Sequence, residues 1–143
     1  PGDVIVIDRN GDRKYACWGE MTSIFALEQG VVATIVDGPS TDIVEIEEMG
    51  YLVFSRGVSP ITTRSIAPAG EINGLIQCGG VPVAPGDIVL ADDNGVLVLP
   101  PNRIAEIIDS CEARVHREDV LRRELRAGAS LADLSGVNER LKH

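Results

Sequence analysis

The chain has 143 residues and a formal net charge of −9 at pH 7, and its length suits one domain with a sizeable hydrophobic core. The acidic balance argues against nucleic acid or an anionic membrane surface as a partner, because both need a basic face on the protein. No apolar run reaches the length of a membrane span. The cysteines, Cys17, Cys78 and Cys111, lack a CxxC spacing, which favours reduced, half-buried thiols in a cytoplasmic protein.

The beginning of the chain alternates short apolar runs with turn formers. The Pro1-Gly2-Asp3 turn leads straight into an apolar run without an initial methionine, so we expect an N-terminal part of the natural protein to be missing. The predicted elements here are a buried strand at 4–8, a hairpin-type turn at 9–12, a second strand at 14–17, and a helix at 21–29 that Gly30 ends.

The next stretch combines a strand, a loop and the start of a helix. Residues 31–36 are apolar and largely β-branched, which predicts a strand buried on both faces. Residues 37–42 are turn formers that end this strand. The spacing of Asp42 and Glu45 predicts a capping box that opens a short helix, which Gly50 closes.

Two carboxylates, Asp37 and Asp42, lie in this predicted strand-to-helix loop. Open α/β sheets tend to place their ligand sites in such loops. Carboxylates there suit a hard cation or a proton-transfer role. Asp is also common in turns for structural reasons alone. The local pattern leaves both interpretations open: a ligand site, or carboxylates that only cap and turn the chain.

The second half of the chain predicts further strands and then a long helix within a single domain, residues 1–143. Asp93-Asn94-Gly95 between apolar runs is the strongest hairpin signal in the chain. From Pro101 onward, apolar residues at spacings of three and four form one helical stripe, namely Ile104, Ile107, Ile108, Cys111 and Val115. The remaining predictions are a strand at 51–54, a surface loop at 59–70, two strands within 71–83 that meet at Gly79-Gly80, a helix at 101–127 that packs on another subunit, and a tail at 128–143 with a short helix at 130–134.

The motifs narrow the chemistry to a set of carboxylates. The chain has no phosphate-binding glycine loop and no GxSxG nucleophile motif. Its only lysines, Lys14 and Lys142, lie away from the motifs, so a Schiff-base mechanism is poorly supported. Carboxylates with water in the remaining positions are what Mg²⁺ or Mn²⁺ accepts, and such a cation can polarise a small 2-keto acid. The set comprises Glu20, Asp37 and Asp42, with Arg56 at a strand end.

A combination of five motifs resembles one protein family over about residues 1 to 127. The family contains the 4-hydroxy-4-methyl-2-oxoglutarate / 4-carboxy-4-hydroxy-2-oxoadipate aldolases and the regulator of ribonuclease E activity A. Its members are often mislabelled as demethylmenaquinone methyltransferases. The motifs are Trp18-Gly19-Glu20, Asp37-Gly38 with Asp42, VFSRGVSP at 53–60, QCGGV at 77–81, and the stretch 85–100 that starts Pro-Gly-Asp.

The resemblance implies an α/β fold of the swivelling β/β/α type, assembled as a homotrimer or a hexamer with sites between subunits. It implies that Asp42 binds Mg²⁺ or Mn²⁺ and that Glu20 holds metal-bound water. It also implies a carboxylate from the C-terminal helix of a neighbouring subunit, for which Glu118 is the candidate. Carried over residue by residue, the catalytic set is Glu20, Asp42 and Glu118, and the substrate-binding positions are Gly19, Glu20, Met21 and Thr41.

One position departs from the aldolase pattern. The family's substrate-binding arginine is replaced by Thr41, whose hydroxyl cannot make a bidentate charged bond to a carboxylate. Arg56 and Arg64 are the nearby candidates for a substitute. Two functions therefore compete. The first is a metal-dependent aldolase or decarboxylase acting on a small 2-keto acid, and the second is a non-catalytic ring that regulates a ribonuclease through protein contacts.

Overall fold

The computed structural model describes residues 1–64 and 70–140. It confirms the predicted mixed α/β class with a long C-terminal helix. The chain divides into two compact units, Pro1–Pro101 and Asn102–His143.

A three-stranded parallel sheet in the order β1-β2-β3 organises the first unit. Parallel neighbours need crossover connections, and a helix supplies each one. The elements are β1 (Val4–Ile7), α1 (Glu20–Glu28), β2 (Ala33–Val36), α2 (Ile43–Glu48) and β3 (Leu52–Ser55).

The central strand β2 is buried at all four of its positions, as its continuous apolar run predicts. Val36 is in register with Ile7 on one side and with Ser55 on the other. The three strands therefore end together, and the residues that follow them meet at one edge of the sheet.

The core of the first unit joins both helices to the central strand. Its buried apolar cluster contains Trp18, Ala26 from α1, Val36 from β2, Ile46 from α2, and Tyr51. The rings of Trp18 and Tyr51 are stacked with their centroids 6.5 Å apart. Each large apolar side chain buried in this way contributes about 1.5–3 kcal/mol relative to an exposed one.

One polar pair lies inside this core. The hydroxyls of Thr34 and Tyr51 are 2.7 Å apart, and Thr34 is fully buried. Burial raises the pKa of Tyr51 above its usual value, so the phenol stays protonated at neutral pH. The bond satisfies two groups that would otherwise be costly to bury.

Of three predictions for the loops, one is wrong. Residues 9–12 form the predicted hairpin-type turn, since Asn10 and Gly11 have φ angles of 48° and 79° and the Asp12 N–H donates to the Arg9 carbonyl at 3.0 Å. The turn does not return the chain beside β1, because β1 pairs with β2 instead. The strand predicted at 14–17 is reduced to one isolated bridge between Ala16 and Thr62. The surface loop predicted at 59–70 is confirmed at residues 60–64 and 70, which are exposed and lie outside the helices and strands, whereas Ser59 is buried and residues 65–69 lie outside the described part.

Two antiparallel hairpins follow, and both agree with prediction. The first joins β4 (Ile76–Cys78) to β5 (Val81–Val83) through Gly79 and Gly80, whose φ angles of 63° and 81° suit glycine. The second joins β6 (Ile88–Asp92) to β7 (Gly95–Leu99) at the predicted Asp-Asn-Gly turn.

The first hairpin is attached to the carboxyl edge of the parallel sheet by two aspartates that follow strand ends. Asp37, after β2, accepts the Gly79 N–H at 2.7 Å and forms an ion pair with Arg56 through the guanidinium Nε. Asp8, after β1, accepts the Gln77 N–H at 3.2 Å. Asp37 therefore has a structural role: it connects the end of β2 to Arg56, which follows β3, and to the β4–β5 hairpin.

The second unit is helical. A 3₁₀ turn at Pro101–Arg103 leads into α3 (Ile104–Arg126), close to the helix predicted at 101–127. None of its residues is buried, and the stripe residue Cys111 is exposed rather than half-buried, unlike Cys17 and Cys78. Two short helices follow, α4 (Leu131–Leu134) and α5 (Val137–Arg140). Among the described residues, no helix has the length and apolar character needed to cross a membrane.

Replacing Asp37 with Asn should weaken the attachment of the β4–β5 hairpin, mostly at neutral pH. The bond from Arg56 holds the pKa of Asp37 below its usual value, so its stabilising effect is present above the unfolded-state pKa and is lost as pH falls through the folded-state pKa. We expect Asp37→Asn to cost about 0.5–1 kcal/mol at neutral pH, since the pair is partly exposed, and to lose less stability than wild type on acidification.

Urea unfolding at several pH values and hydrogen exchange at the Gly79 amide measure these effects. Asp93→Asn, at an exposed carboxylate in the β6–β7 turn, is the matched control and should leave Gly79 unchanged. Equal acid sensitivity of wild type and Asp37→Asn would contradict the assigned role of Asp37.

Candidate functional site

The loop that leaves the carboxyl end of β2 ends at Asp42, the residue before α2. The backbone of Asp42 has φ 54° and ψ 44°, a left-handed conformation that a non-glycine residue keeps only when its surroundings hold it. The capping box predicted for Asp42 and Glu45 is wrong, because the Asp42 side chain makes no capping hydrogen bond to α2. The left-handed backbone directs this carboxylate elsewhere.

The Asp42 carboxylate instead caps the other helix, α1. Its Oδ2 accepts the Glu20 N–H at 3.0 Å, and Glu20 is the first residue of α1. The first N–H groups of a helix have no partner within it, and negative charge is favourable at that end. The Thr41 hydroxyl donates to Asp42 Oδ1 at 3.2 Å. One carboxylate thus joins the starts of two helices.

Gly19 makes this contact possible because it has no side chain. Its φ of −160° is extended backbone that any residue adopts, so conformation does not require glycine here. A Cβ at this position would lie 2.5 Å from Asp42 Oδ2 and 2.8 Å from Thr41 Cγ2. The close approach of two chain segments is what requires glycine.

The backbone around the contact is held by buried polar groups that the sequence interpretation missed. The Thr41 N–H donates to the Trp18 carbonyl at 2.9 Å. The Trp18 indole N–H donates to the Ser23 hydroxyl at 2.8 Å, and that hydroxyl donates to the Gly19 carbonyl at 2.9 Å. Ser23 and Ser40 are fully buried. The sequence offered one signal for these buried groups: Ser23 lies within an apolar helical segment, and Ser40 follows a buried strand.

The structure brings together four of the predicted site residues, Gly19, Glu20, Thr41 and Asp42. The Glu20 side chain is half-buried, and Asp42 is exposed. Met21, the next residue of α1, has 67% of its surface exposed. These residues form a small acidic surface at the start of α1.

Glu118 lies on α3 in the second unit. Its carboxylate is exposed and pairs with Arg122, one helical turn later, at 2.9 Å. Its role as a carboxylate that reaches the site of a neighbouring subunit stays a prediction.

Neither candidate arginine replaces the missing guanidinium within the described contacts. The side chain of Arg56 is held by Asp37 beside the β4–β5 turn, and Arg64 is exposed. None of the ion pairs between described residues includes Glu20 or Asp42. No described cationic side chain therefore forms an ion pair with the acidic surface.

The donor chemistry of this surface fits one kind of metal ion. Each Asp42 oxygen accepts one hydrogen bond and retains capacity for another ligand. Among the described residues, no three His, Cys, Asp or Glu side chains are grouped so that they could hold a metal by themselves. Mg²⁺ and Mn²⁺ are commonly bound through one or two carboxylates with several waters, whereas a structural zinc site needs four protein ligands. Asp42 fits the former.

A cleft of about 550 Å³ lies where the β4–β5 hairpin meets the carboxyl end of β1. Asp8 and Asp37 line it, and both of their carboxylates are occupied by the bonds that attach the hairpin. Glu20 and Asp42 are not among its lining residues. The acidic surface therefore lies outside this cleft.

Comparison with known proteins identifies the family of this chain. A family model described as RraA-like, Aldolase/RraA, matches residues 1–98. A protein of Halalkalibacterium halodurans named "Putative 4-hydroxy-4-methyl-2-oxoglutarate aldolase" is 34% identical over 80% of this chain and 54% of its own length. Two solved structures are similar: an uncharacterized protein from Pseudomonas syringae (TM-score 0.80, 26% identity, 92% of this chain and 66% of that one) and Streptomyces coelicolor RraAS2 (TM-score 0.76, 31% identity, 85% and 62%).

The chain spans 21% to 63% of the length of the curated relatives that it matches. The family model nevertheless covers well over half of the chain, and it includes the β1–α1–β2–α2–β3 unit with Asp42. As its motifs predict, this protein belongs to the RraA-like family of aldolases and RraA proteins.

Proposed function

We propose that this protein is a divalent-metal-dependent carbon–carbon lyase, an aldolase or decarboxylase, that acts on a small 2-keto acid. The Asp42 carboxylate carries the proposal: it lies at the start of α1 beside Glu20, and its described contacts are an amide and a hydroxyl rather than a cation. A carboxylate in that state, next to a second one, favours a hard cation. The aldolase names of several relatives support the same reaction class.

The roles follow from the chemistry of the groups. A bound Mg²⁺ or Mn²⁺ supplies Lewis-acid polarisation of the 2-keto carbonyl. Asp42 holds that cation. Aldol cleavage removes a proton from the substrate hydroxyl, leaves the electron pair of the broken bond on the carbonyl-bearing fragment, and returns a proton to carbon. Glu20 is the group to which we assign holding and moving that proton through water.

The proposal includes a homotrimer or hexamer in which a neighbouring subunit completes the site with Glu118. Two features of the described residues support it. Glu20 and Asp42 lie outside the cleft found in the single chain. Beside them on α1, Met21 and Phe25 are 67% and 69% exposed, and large exposed apolar side chains are characteristic of protein interfaces.

The alternative is a non-catalytic ring that works through protein contacts. Thr41 favours it, because a hydroxyl that already donates to Asp42 gives a substrate carboxylate no charged partner. The similar Streptomyces coelicolor protein is described as an unusual member of the RNase ES inhibitor RraA family. Asp42 and Glu20 favour the enzyme, since a ring that works only by contacts needs no cation site.

Asp42→Asn tests the central assignment. Asn tolerates the left-handed backbone and keeps the shape of the side chain but removes its charge. We expect Mn²⁺ affinity to fall by more than about 100-fold, since even residues that only support a ligand cost 10–100-fold. Oxaloacetate decarboxylation or pyruvate release should be lost. Electron paramagnetic resonance titration of Mn²⁺ and a coupled pyruvate assay measure the two effects.

Asp37→Asn, which changes the other carboxylate of the loop, is the matched control and should keep both Mn²⁺ binding and pyruvate release. A wild-type protein that binds no Mn²⁺ and turns over no 2-keto acid would rule out the lyase. Inhibition of an RNase E-type endoribonuclease, equal for wild type and Asp42→Asn, would then support the alternative ring function.

Thr41→Arg tests whether one residue limits catalysis. A guanidinium beside Asp42 offers a bidentate bond to a substrate carboxylate, and we expect kcat/KM for oxaloacetate to rise by about tenfold or more, equivalent to 1.4 kcal/mol or more. Thr41→Lys is the control, since it adds the charge without the planar fork and should give a smaller gain. No gain with Thr41→Arg, in a variant that still binds Mn²⁺, would show that Thr41 is not the limiting residue.

Gly19→Ala tests the close approach at the start of α1. The added Cβ would lie 2.5 Å from Asp42 Oδ2, so we expect the carboxylate to be displaced and Mn²⁺ binding to weaken by about tenfold or more, as for loss of a ligand-supporting contact. Gly50→Ala is the control. Its φ of 71° makes alanine strained there, but no atom lies within 4 Å of the new Cβ. It should lower the midpoint of thermal unfolding and leave Mn²⁺ affinity unchanged.

A further inference from the structure

Ser40 is a fully buried polar residue two positions before Asp42. Its hydroxyl oxygen is 2.8 Å from that of Ser55, the last residue of β3. The Ser55 hydroxyl also donates to the Gly57 carbonyl at 3.0 Å. Ser55 has a single hydroxyl proton and uses it on Gly57, so the Ser40 hydroxyl donates to Ser55.

The backbone of Ser40 is bound to the same segment. Its N–H donates to the Gly57 carbonyl at 2.9 Å, and its carbonyl accepts the Ser59 N–H at 2.9 Å. Gly57 has φ 140°, a conformation that suits glycine and turns the chain at this point. Ser40 therefore has its amide, carbonyl and hydroxyl all bonded to residues 55–59.

The next two residues, Thr41 and Asp42, are also held by hydrogen bonds to other segments. The Thr41 N–H is held by the Trp18 carbonyl at 2.9 Å. Asp42 then adopts its left-handed backbone and reaches the Glu20 N–H at 3.0 Å. A left-handed non-glycine residue is strained and persists only where neighbouring contacts determine it. Ser40, which is fully buried and bonded to residues 55–59, precedes this strained residue by two positions.

We propose that Ser40 is a positioning residue for Asp42: its hydroxyl bond to Ser55 holds the loop at the angle that places the Asp42 carboxylate against the Glu20 amide. Where Asp42 acts as a metal ligand, this inference rests on the proposed function. The contact with Glu20 is independent of any metal, so the positioning role has its own readout.

The experiment compares Ser40→Ala with Thr34→Val. Both remove one hydroxyl from a fully buried residue that bonds a second hydroxyl, at 2.8 Å and 2.7 Å respectively. Both should therefore lower stability to a similar extent. Of these two variants, only Ser40→Ala should move the Glu20 amide proton resonance towards its position in Asp42→Ala, where that hydrogen bond is absent. Ser55→Ala, which removes the acceptor and leaves Ser40 in place, should give the same shift.

Mn²⁺ affinity is the second readout. Loss of one neutral hydrogen bond that supports the ligand should weaken binding by about three- to tenfold in Ser40→Ala, with no change in Thr34→Val.

The outcomes separate the two proposals. An unchanged Glu20 resonance in both Ser40→Ala and Ser55→Ala would overturn the positioning role, whatever the metal affinity. If the Glu20 resonance shifts in Ser40→Ala and Ser55→Ala but the wild-type protein binds no Mn²⁺, the positioning role would be supported and the proposed metal site overturned. An equal shift in Thr34→Val would show that general loosening of the core, and not the Ser40 bond, moves Asp42.

Discussion

The contact between the Asp42 carboxylate and the first amide of α1 is the constraint around which the described site is arranged. It brings together two segments that are 22 residues apart in the chain. It requires a residue without a side chain at Gly19, and it requires a left-handed backbone at Asp42. Each of these features is unfavourable by itself, and together they place one carboxylate where two helices begin.

The two aspartates of the same loop perform different tasks because their neighbours differ. Asp37 meets a guanidinium and a backbone amide, so its charge is neutralised and its oxygens are used to attach a hairpin. Among the described residues, Asp42 contacts an amide and a hydroxyl but no cation, which is why we assign it to ligand binding. An ion pair that satisfies a carboxylate is a reason to assign it to structure, and a carboxylate lacking one is a reason to assign it to binding.

Membership of the RraA-like family fits a scaffold on which chemistry and regulation are separable. The strand-loop-helix unit is compatible with either function. The side chain next to Asp42 in the chain is Thr41, whose hydroxyl donates to Asp42 and carries no charge. Glu20 and Asp42 do not line the described cleft, and a second subunit packed over them would exclude water, which is the physical reason for the proposed self-association.

The sequence by itself determined the elements whose cause is local. The apolar run of β2, the Gly79-Gly80 and Asp93-Asn94 turns and the stripe of α3 all follow from periodicity and turn chemistry, and the structure agrees. The motif resemblance also selected Gly19, Glu20, Thr41 and Asp42, which do meet.

Only the tertiary structure decided what depends on contacts between distant residues: that Asp42 caps α1 and not α2, that residues 14–17 form one bridge and not a strand, and that Ser40 and Ser59 are buried. Spacing along a chain reports on the next turn of that chain, whereas these bonds join segments 15 to 46 positions apart and depend on how the sheet brings them together.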